Sequence, residues 1–274
     1  MNPLWHIARK ELADGLRNRW LLAISLLFAL LAVAIAWFGA AASGSVGFTS
    51  IPATIVSLAS LATFLVPLIA LLLAYDAIVG EDEGGTLMLL LSYPLTSGQL
   101  LLGKFLGHGL VLALATLLGF GAAAAAIAAL AEVQLPLLLW AFGRFMLSSC
   151  LLGWAFLAMA YALSARATEK SGAAGLALGL WFCFVLAFDL ALLAALALGQ
   201  GRLGADLLPW LLLLNPTDVY RLINLSGFAA DAAIGVMDLG RDLPLPAAAL
   251  WLALALWIPA ALGLAYRQLR RRPL

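Results

Sequence analysis

Apolar runs long enough to cross a bilayer recur along this chain, separated by short polar segments. A spanning helix needs about 20 consecutive apolar residues. Runs of that kind lie roughly at 20–42, 51–75, 104–131, 135–163, 172–198 and 247–266. Pro67 sits inside the second, where a helix kink is tolerated if neighbours cover the freed carbonyl. Residues 2–19 instead show an amphipathic pattern. Trp5, Ala8, Leu12 and Leu16 recur at helical spacing, and His6, Arg9, Lys10, Arg17 and Arg19 occupy the other side. That pattern predicts a helix lying in the membrane interface, with its cations near lipid phosphates. Two segments fit neither pattern. Residues 76–103 read as a loop containing Glu81-Asp82-Glu83, Gly84-Gly85, a short apolar stretch from Thr86 to Tyr93, and Pro94; Thr96 or Ser97 can cap the next helix. Residues 199–246 hold an apolar stretch, Leu207 to Leu214, too short to span, then Asn215-Pro216-Thr217-Asp218 opening a helix. The predicted fold is all-α: one polytopic transmembrane domain over 1–274, with six spans.

Composition agrees and excludes a soluble enzyme. Hydrophobic residues make up 65% and charged residues 11%, with a mean hydropathy of +1.07. Soluble domains carry about 25% charged residues. The net charge of +1 is uninformative; the placement of the cations is not. Arg9, Lys10, Arg17, Arg19, Lys104, Arg166, Lys170, Arg267, Arg270, Arg271 and Arg272 fall on one side of a six-span layout. Arg202, Arg221 and Arg241 fall on the other, all in the one long loop. Short basic loops stay inside, so both termini are expected in the cytoplasm. Cys150 and Cys183 lie in apolar runs and read as packing residues, not a disulfide framework.

Candidate chemistry is sparse. Gly98 to Lys104 imitates part of a phosphate loop, but Phe105 stands where the metal-binding hydroxyl belongs and no strand precedes it. Gly103 and Gly107 read better as a small-residue packing face. His6 and His108 are on distant elements, and no metal-ligand or catalytic spacing occurs, so no cofactor is expected. Arg144 and Asp189 are charges inside apolar runs. They lie roughly 30 and 27 Å from the inner ends of their spans at 1.5 Å per residue. Both belong near the outer headgroups, as a candidate pair or as separately snorkelling groups. Exposed leucines in 76–103 want a groove, and the acids before them suit a positive helix N-terminus.

The run from Ile78 to Leu95, and on to Gly103-Lys104, resembles the coupling-helix segment of type-two ABC exporter permeases. Ala8-Arg9-Lys10-Glu11-Leu12, running to Arg19-Trp20, is similar to their N-terminal interfacial helix. Asn215-Pro216-Thr217-Asp218-Val219-Tyr220-Arg221-Leu222 is narrower and resembles permeases that serve maturation of nitrous oxide reductase. The likeness covers essentially the whole chain. It implies a permease working with a second copy of itself, clasping a separate NosF-like ABC ATPase in the cytoplasm and meeting a NosD-like periplasmic protein. The implied role is assembly of the reductase's copper–sulfur centre, in a bacterial inner membrane. ATP hydrolysis would belong to the partner chain, and nucleic acid is not an expected partner. Glu81, Asp82, Glu83, Gly85, Thr86, Leu87, Leu90, Leu91 and Pro94 would then couple to the ATPase. Asp218, Tyr220 and Arg221 in the 199–246 loop would contact the periplasmic protein. The rival is an ion-gradient-driven secondary transporter, which would place acids and broken helices near the midplane; Asp189 is too far outward for that.

Overall fold

A computed structural model describes residues 3–17, 19–38, 47–48, 50–198, 208–225 and 246–272. The turn expected at Ser43 to Ser45 lies outside them, as do residues 199–207 and 226–245 of the expected periplasmic loop. Every regular element among the described residues is helical. They are α1 (Pro3–Arg17), α2 (Trp20–Phe38), α3 (Ile51–Ala74), α4 (Val79–Glu83), α5 (Thr86–Ser92), α6 (Ser97–Leu130) and α7 (Leu135–Arg166). After these come α8 (Lys170–Phe182), a π-helical turn (Cys183–Ala187), α9 (Phe188–Leu198), α10 (Leu208–Leu213), α11 (Pro216–Leu225) and α12 (Ala247–Arg271).

Among the described residues, six helices are long and apolar enough to span: α2, α3, α6, α7, α8–α9 and α12. The expected count therefore holds, with α6 starting at Ser97, two turns earlier than its apolar run. The start is set by Thr96, whose hydroxyl accepts from the Gln99 amide while the Gln99 side chain accepts from the Thr96 amide. Two orphan N–H groups at the start of α6 are thereby satisfied.

α7 is the hub, packing on α3, α6 and α12. Its spanning stretch is 72% buried, against 11% for α8–α9 and 17% for α12, which lie at the outside of the bundle. Small residues set the close approaches. A Cβ at Gly119 would sit 2.5 Å from Phe28 Cβ, which lets α2 lie against α6 and stack Phe28 on Phe120 at 4.6 Å. Pro67 leaves α3 continuous, and the Trp181 indole donates to the neighbouring Phe64 carbonyl at 2.9 Å.

α1 forms as its amphipathic pattern predicts, but turns a different face inward. Ala8 and Glu11 are buried, while Trp5 and Leu16 are 64% and 50% exposed. The cause is on α6. A Cβ at Gly107 would lie 2.4 Å from Glu11 Cβ and 2.8 Å from the Ala8 carbonyl, and one at Gly103 would lie 2.8 Å from Ile7 Cβ. The two glycines are the expected packing face, and α1 occupies it.

Candidate coupling site

Residues 76–95 fold into two short helices at one end of the bundle. Gly84 and Gly85 join them, and Gly85 has φ +68°, a left-handed conformation that glycine adopts without steric cost. Thr86 closes the corner: its hydroxyl donates to the Glu81 carbonyl at 3.1 Å and also contacts the Glu81 carboxylate.

The acidic triad does more than complement a helix dipole. Each member holds a different span. Glu81 Oε1 accepts from Lys104 Nζ of α6 at 2.7 Å. Asp82 Oδ2 pairs with Arg272 Nη2, just past α12, at 2.7 Å. Glu83 Oε1 accepts from the Lys170 amide at the start of α8 at 2.7 Å. A fourth contact comes from α7, where Ser164 Oγ accepts from the Ile78 and Val79 amides at 2.9 and 3.1 Å. Four spans thus grip α4 through polar contacts, which are directional and lose their energy within an ångström or so of slip.

Lys104 is shared. Its ammonium, 4% exposed by residue, also donates to Glu11 Oε1 of α1 at 2.8 Å. Burial pushes the Glu11 carboxyl up, but Lys104 beside it prevails and holds it below the ordinary carboxylate range. His108 extends the network, with Nε2 3.4 Å from Glu11 Oε2 and Nδ1 2.7 Å from the Tyr161 hydroxyl. Arg272 is likewise multivalent. Its guanidinium donates to the Ser164, Ala165 and Ala167 carbonyls at 3.2, 3.3 and 2.7 Å, satisfying the orphan C-terminal carbonyls of α7.

α5 carries the apolar surface. Met88, Leu89 and Tyr93 are 60%, 63% and 65% exposed. Met88 and Leu89 lie on α5, and Tyr93 caps its C-terminal end. Leu87 corrects the sequence reading: it is fully buried in the protein's own core and offers nothing to a partner, while Leu90 is half-buried. Helical spacing explains this, because a seven-residue helix can put only one side outward.

The outer site is also corrected. Asp218 and Tyr220 are completely buried, so they present no face to another protein. α11 lies between α7, α3 and α12. Tyr220 Oη and Ser149 Oγ are 3.0 Å apart, and Asn224 Nδ2 donates to Ser148 Oγ at 2.9 Å. Asn215 Nδ2 donates to the Phe184 carbonyl at 2.9 Å. That carbonyl lies in the π-helical turn, where the regular ladder is broken. The candidate Arg144–Asp189 pair gives way to a convergence on α11. Asp189 pairs with Arg221, which also reaches Asp218 Oδ1 at 3.2 Å. Arg144 Nη2 donates to the Ile223 carbonyl at 2.7 Å, near the negative end of α11. Burial, and then the Asp189 carboxylate, push the Asp218 carboxyl up. A proton on Asp218 would leave one carboxylate against one guanidinium, the balance a buried site favours.

A helical pair wired to four spans, with an apolar outward face, has the form of a force-transmitting contact for a separate subunit. The chain matches the family described as ABC-2 family transporter protein over residues 5–274. It belongs to that family. It is 73% identical over 274 residues to "Probable ABC transporter permease protein NosY" of Stutzerimonas stutzeri, covering 99% of each chain. It is 76% identical over 275 residues to the protein of the same name from Pseudomonas aeruginosa, covering 100% of each. The chain is thus the multi-pass permease subunit of a bacterial inner-membrane ABC transporter, a class that associates with an ABC ATPase and a partner permease. In this ABC-2 permease the α4–α5 pair is the candidate coupling element.

Proposed function

We propose that this permease serves maturation of nitrous oxide reductase, supporting assembly of its copper–sulfur centre by export or by mechanical work delivered to a periplasmic protein. The name shared by its two relatives supports the nitrous oxide reductase context. The observation that carries the mechanism is the grip of four spans on α4 beside the exposed face of α5. A NosF-like ATPase seats α5, and its nucleotide-driven motion passes through Glu81, Asp82 and Glu83 into α6, α12 and α8. A second copy of the chain completes the transporter.

Both termini lie in the cytoplasm, on the side of the basic short loop 164–171 and the arginines at the end of α12. α11 then anchors the outer ends of the spans, and a NosD-like protein meets the surface beyond it. Tyr220 and Asp218 serve as the anchor of that region, not its contact.

The test deletes the permease in a denitrifying host and complements it with wild type or with Leu89→Glu. Wild type restores a reductase carrying its copper–sulfur centre, read from its visible spectrum; Leu89→Glu does not. A fully loaded reductase in the deletion strain would reject the role.

A further inference from the structure

Where the coupling helix meets the ends of α7 and α12 lies a cavity of about 270 Å³, lined by Asp82, Arg166, Thr168, Gln268, Arg271 and Arg272, with the backbone at 165–167. We propose that it binds the phosphate of an anionic phospholipid headgroup.

The charge is one argument. Asp82, the acid of the lining, is already paired with Arg272, which is committed to it and to the carbonyls of α7. Arg166 and Arg271 have no acidic partner among the described residues and are both exposed. The lining therefore offers two uncompensated guanidiniums, whose planar forks suit phosphate oxygens, and the Thr168 hydroxyl beside them.

Size and position choose the source of the phosphate. A water occupies about 30 Å³ of liquid, so the cavity exceeds what a lone small anion needs and suits a headgroup. Leu264, Gln268 and Arg271 lie four and three residues apart, on one stripe of α12. Leu264 is 51% exposed. The stripe runs from apolar to polar to cationic along a spanning helix, the order that an acyl chain, glycerol and phosphate present at a membrane face. Basic pockets between spans on the cytoplasmic side bind acidic lipid headgroups by the same physics. The inward placement of this end rests on the orientation proposed above; binding in a micelle does not depend on it.

A lipid held here touches both Arg271 and the turn after α7, and sits beside the Asp82–Arg272 bridge. Anionic lipid would therefore brace the coupling helix against α7 and α12.

The test uses the purified permease–ATPase complex in mixed micelles, titrated with phosphatidylglycerol, with phosphatidylcholine and with inorganic phosphate, and bound phospholipid is counted by mass spectrometry. Wild type retains phosphatidylglycerol in preference to phosphatidylcholine. Arg166→Gln with Arg271→Gln, both exposed positions, weakens phosphatidylglycerol binding about a hundred-fold, the loss of two charge-assisted hydrogen bonds to one phosphate. Arg9→Gln with Arg267→Gln removes equal charge outside the cavity and leaves binding within about three-fold of wild type. An equal loss in both pairs would mean diffuse attraction and overturn the site. Displacement of the lipid by millimolar inorganic phosphate would assign the cavity to a free anion. Loss of the ATPase from the first pair with lipid retained would make the cavity a protein contact. Each of these three results contradicts the proposal.

Discussion

Lys104 offers the sharpest test of how the coupling element is held. Replacing it by methionine keeps length and volume but removes the buried cation that Glu11 and Glu81 share, leaving Glu11 only the exposed Lys10 at 3.7 Å and His108 at 3.4 Å. Side-chain exposure is 6% for Lys104, 9% for Glu11 and 20% for Glu81, so the site is largely shielded from water. Removing one partner of a buried pair costs about 3–5 kcal/mol, because the remaining charge is uncompensated. Two carboxylates are stranded here, although the partial exposure of Glu81 argues for the lower end. The loss falls on the docking of α1 and α4 against α6, not on the spans. Amide hydrogen exchange reports such local opening directly. At about 1.4 kcal/mol per decade, exchange through residues 3–17 and 79–92 should quicken by roughly two to three orders of magnitude. Exchange in α7 should be unchanged. The triple variant Glu11→Leu, Lys104→Met, Glu81→Leu removes the three linked charges together, and should return most of the protection, since apolar replacement of a whole buried cluster costs little. Unchanged exchange in Lys104→Met, or a triple variant as exposed as the single, would refute the reasoning.

The remaining predictions concern neighbouring elements. Leu89→Glu or Tyr93→Glu should abolish co-purification of the ATPase with normal membrane insertion, whereas Leu87→Ala should act through stability, at about 2–5 kcal/mol for a buried leucine, as read by thermal unfolding. Gly107→Ala should displace α1, seen as faster proteolysis within 3–17, because its Cβ meets Glu11 Cβ and the Ala8 carbonyl; Gly121→Ala, where a Cβ meets nothing within 4 Å, should be silent. For Glu11 the folded value is lowered from 4.5, so its contribution is fully present above that pH and is lost as pH falls through the lower folded value. Trp5 fluorescence should therefore report undocking of α1 only on acidification below about 4.5, and the Glu11→Gln variant should lack that transition.

The spans were legible because an apolar run of bilayer length has few other uses. The partners of the polar residues were not. Nothing near Glu11 in sequence announces Lys104, 93 residues away. Serine is common in spans, so Ser164 gave no sign that it would cap α4. α11 was misjudged for a related reason: Asn215 to Asn224 has the composition of a water-facing helix. A signal was nonetheless present. Arg144 and Asp189 needed partners at the outer depth, and Ser148-Ser149 interrupt the apolar run of α7 at the same level. Those groups together predict a polar helix buried among the spans, a solution that neither pairing Arg144 with Asp189 nor letting each snorkel separately includes. Within the coupling segment, the sequence marked Leu87 as apolar but could not say which side of α5 would meet the bundle.

The central claim is that α5 is the surface an ABC ATPase grips. A photo-reactive residue placed at Leu89 or Tyr93, in cells co-expressing the cognate ATPase, tests it most directly, with Leu178 on the outward face of α8 as control. Illumination should link the ATPase to positions 89 and 93 and not to 178. Capture of the ATPase at Thr168, in the turn after α7, with none at 89 or 93, would contradict the account.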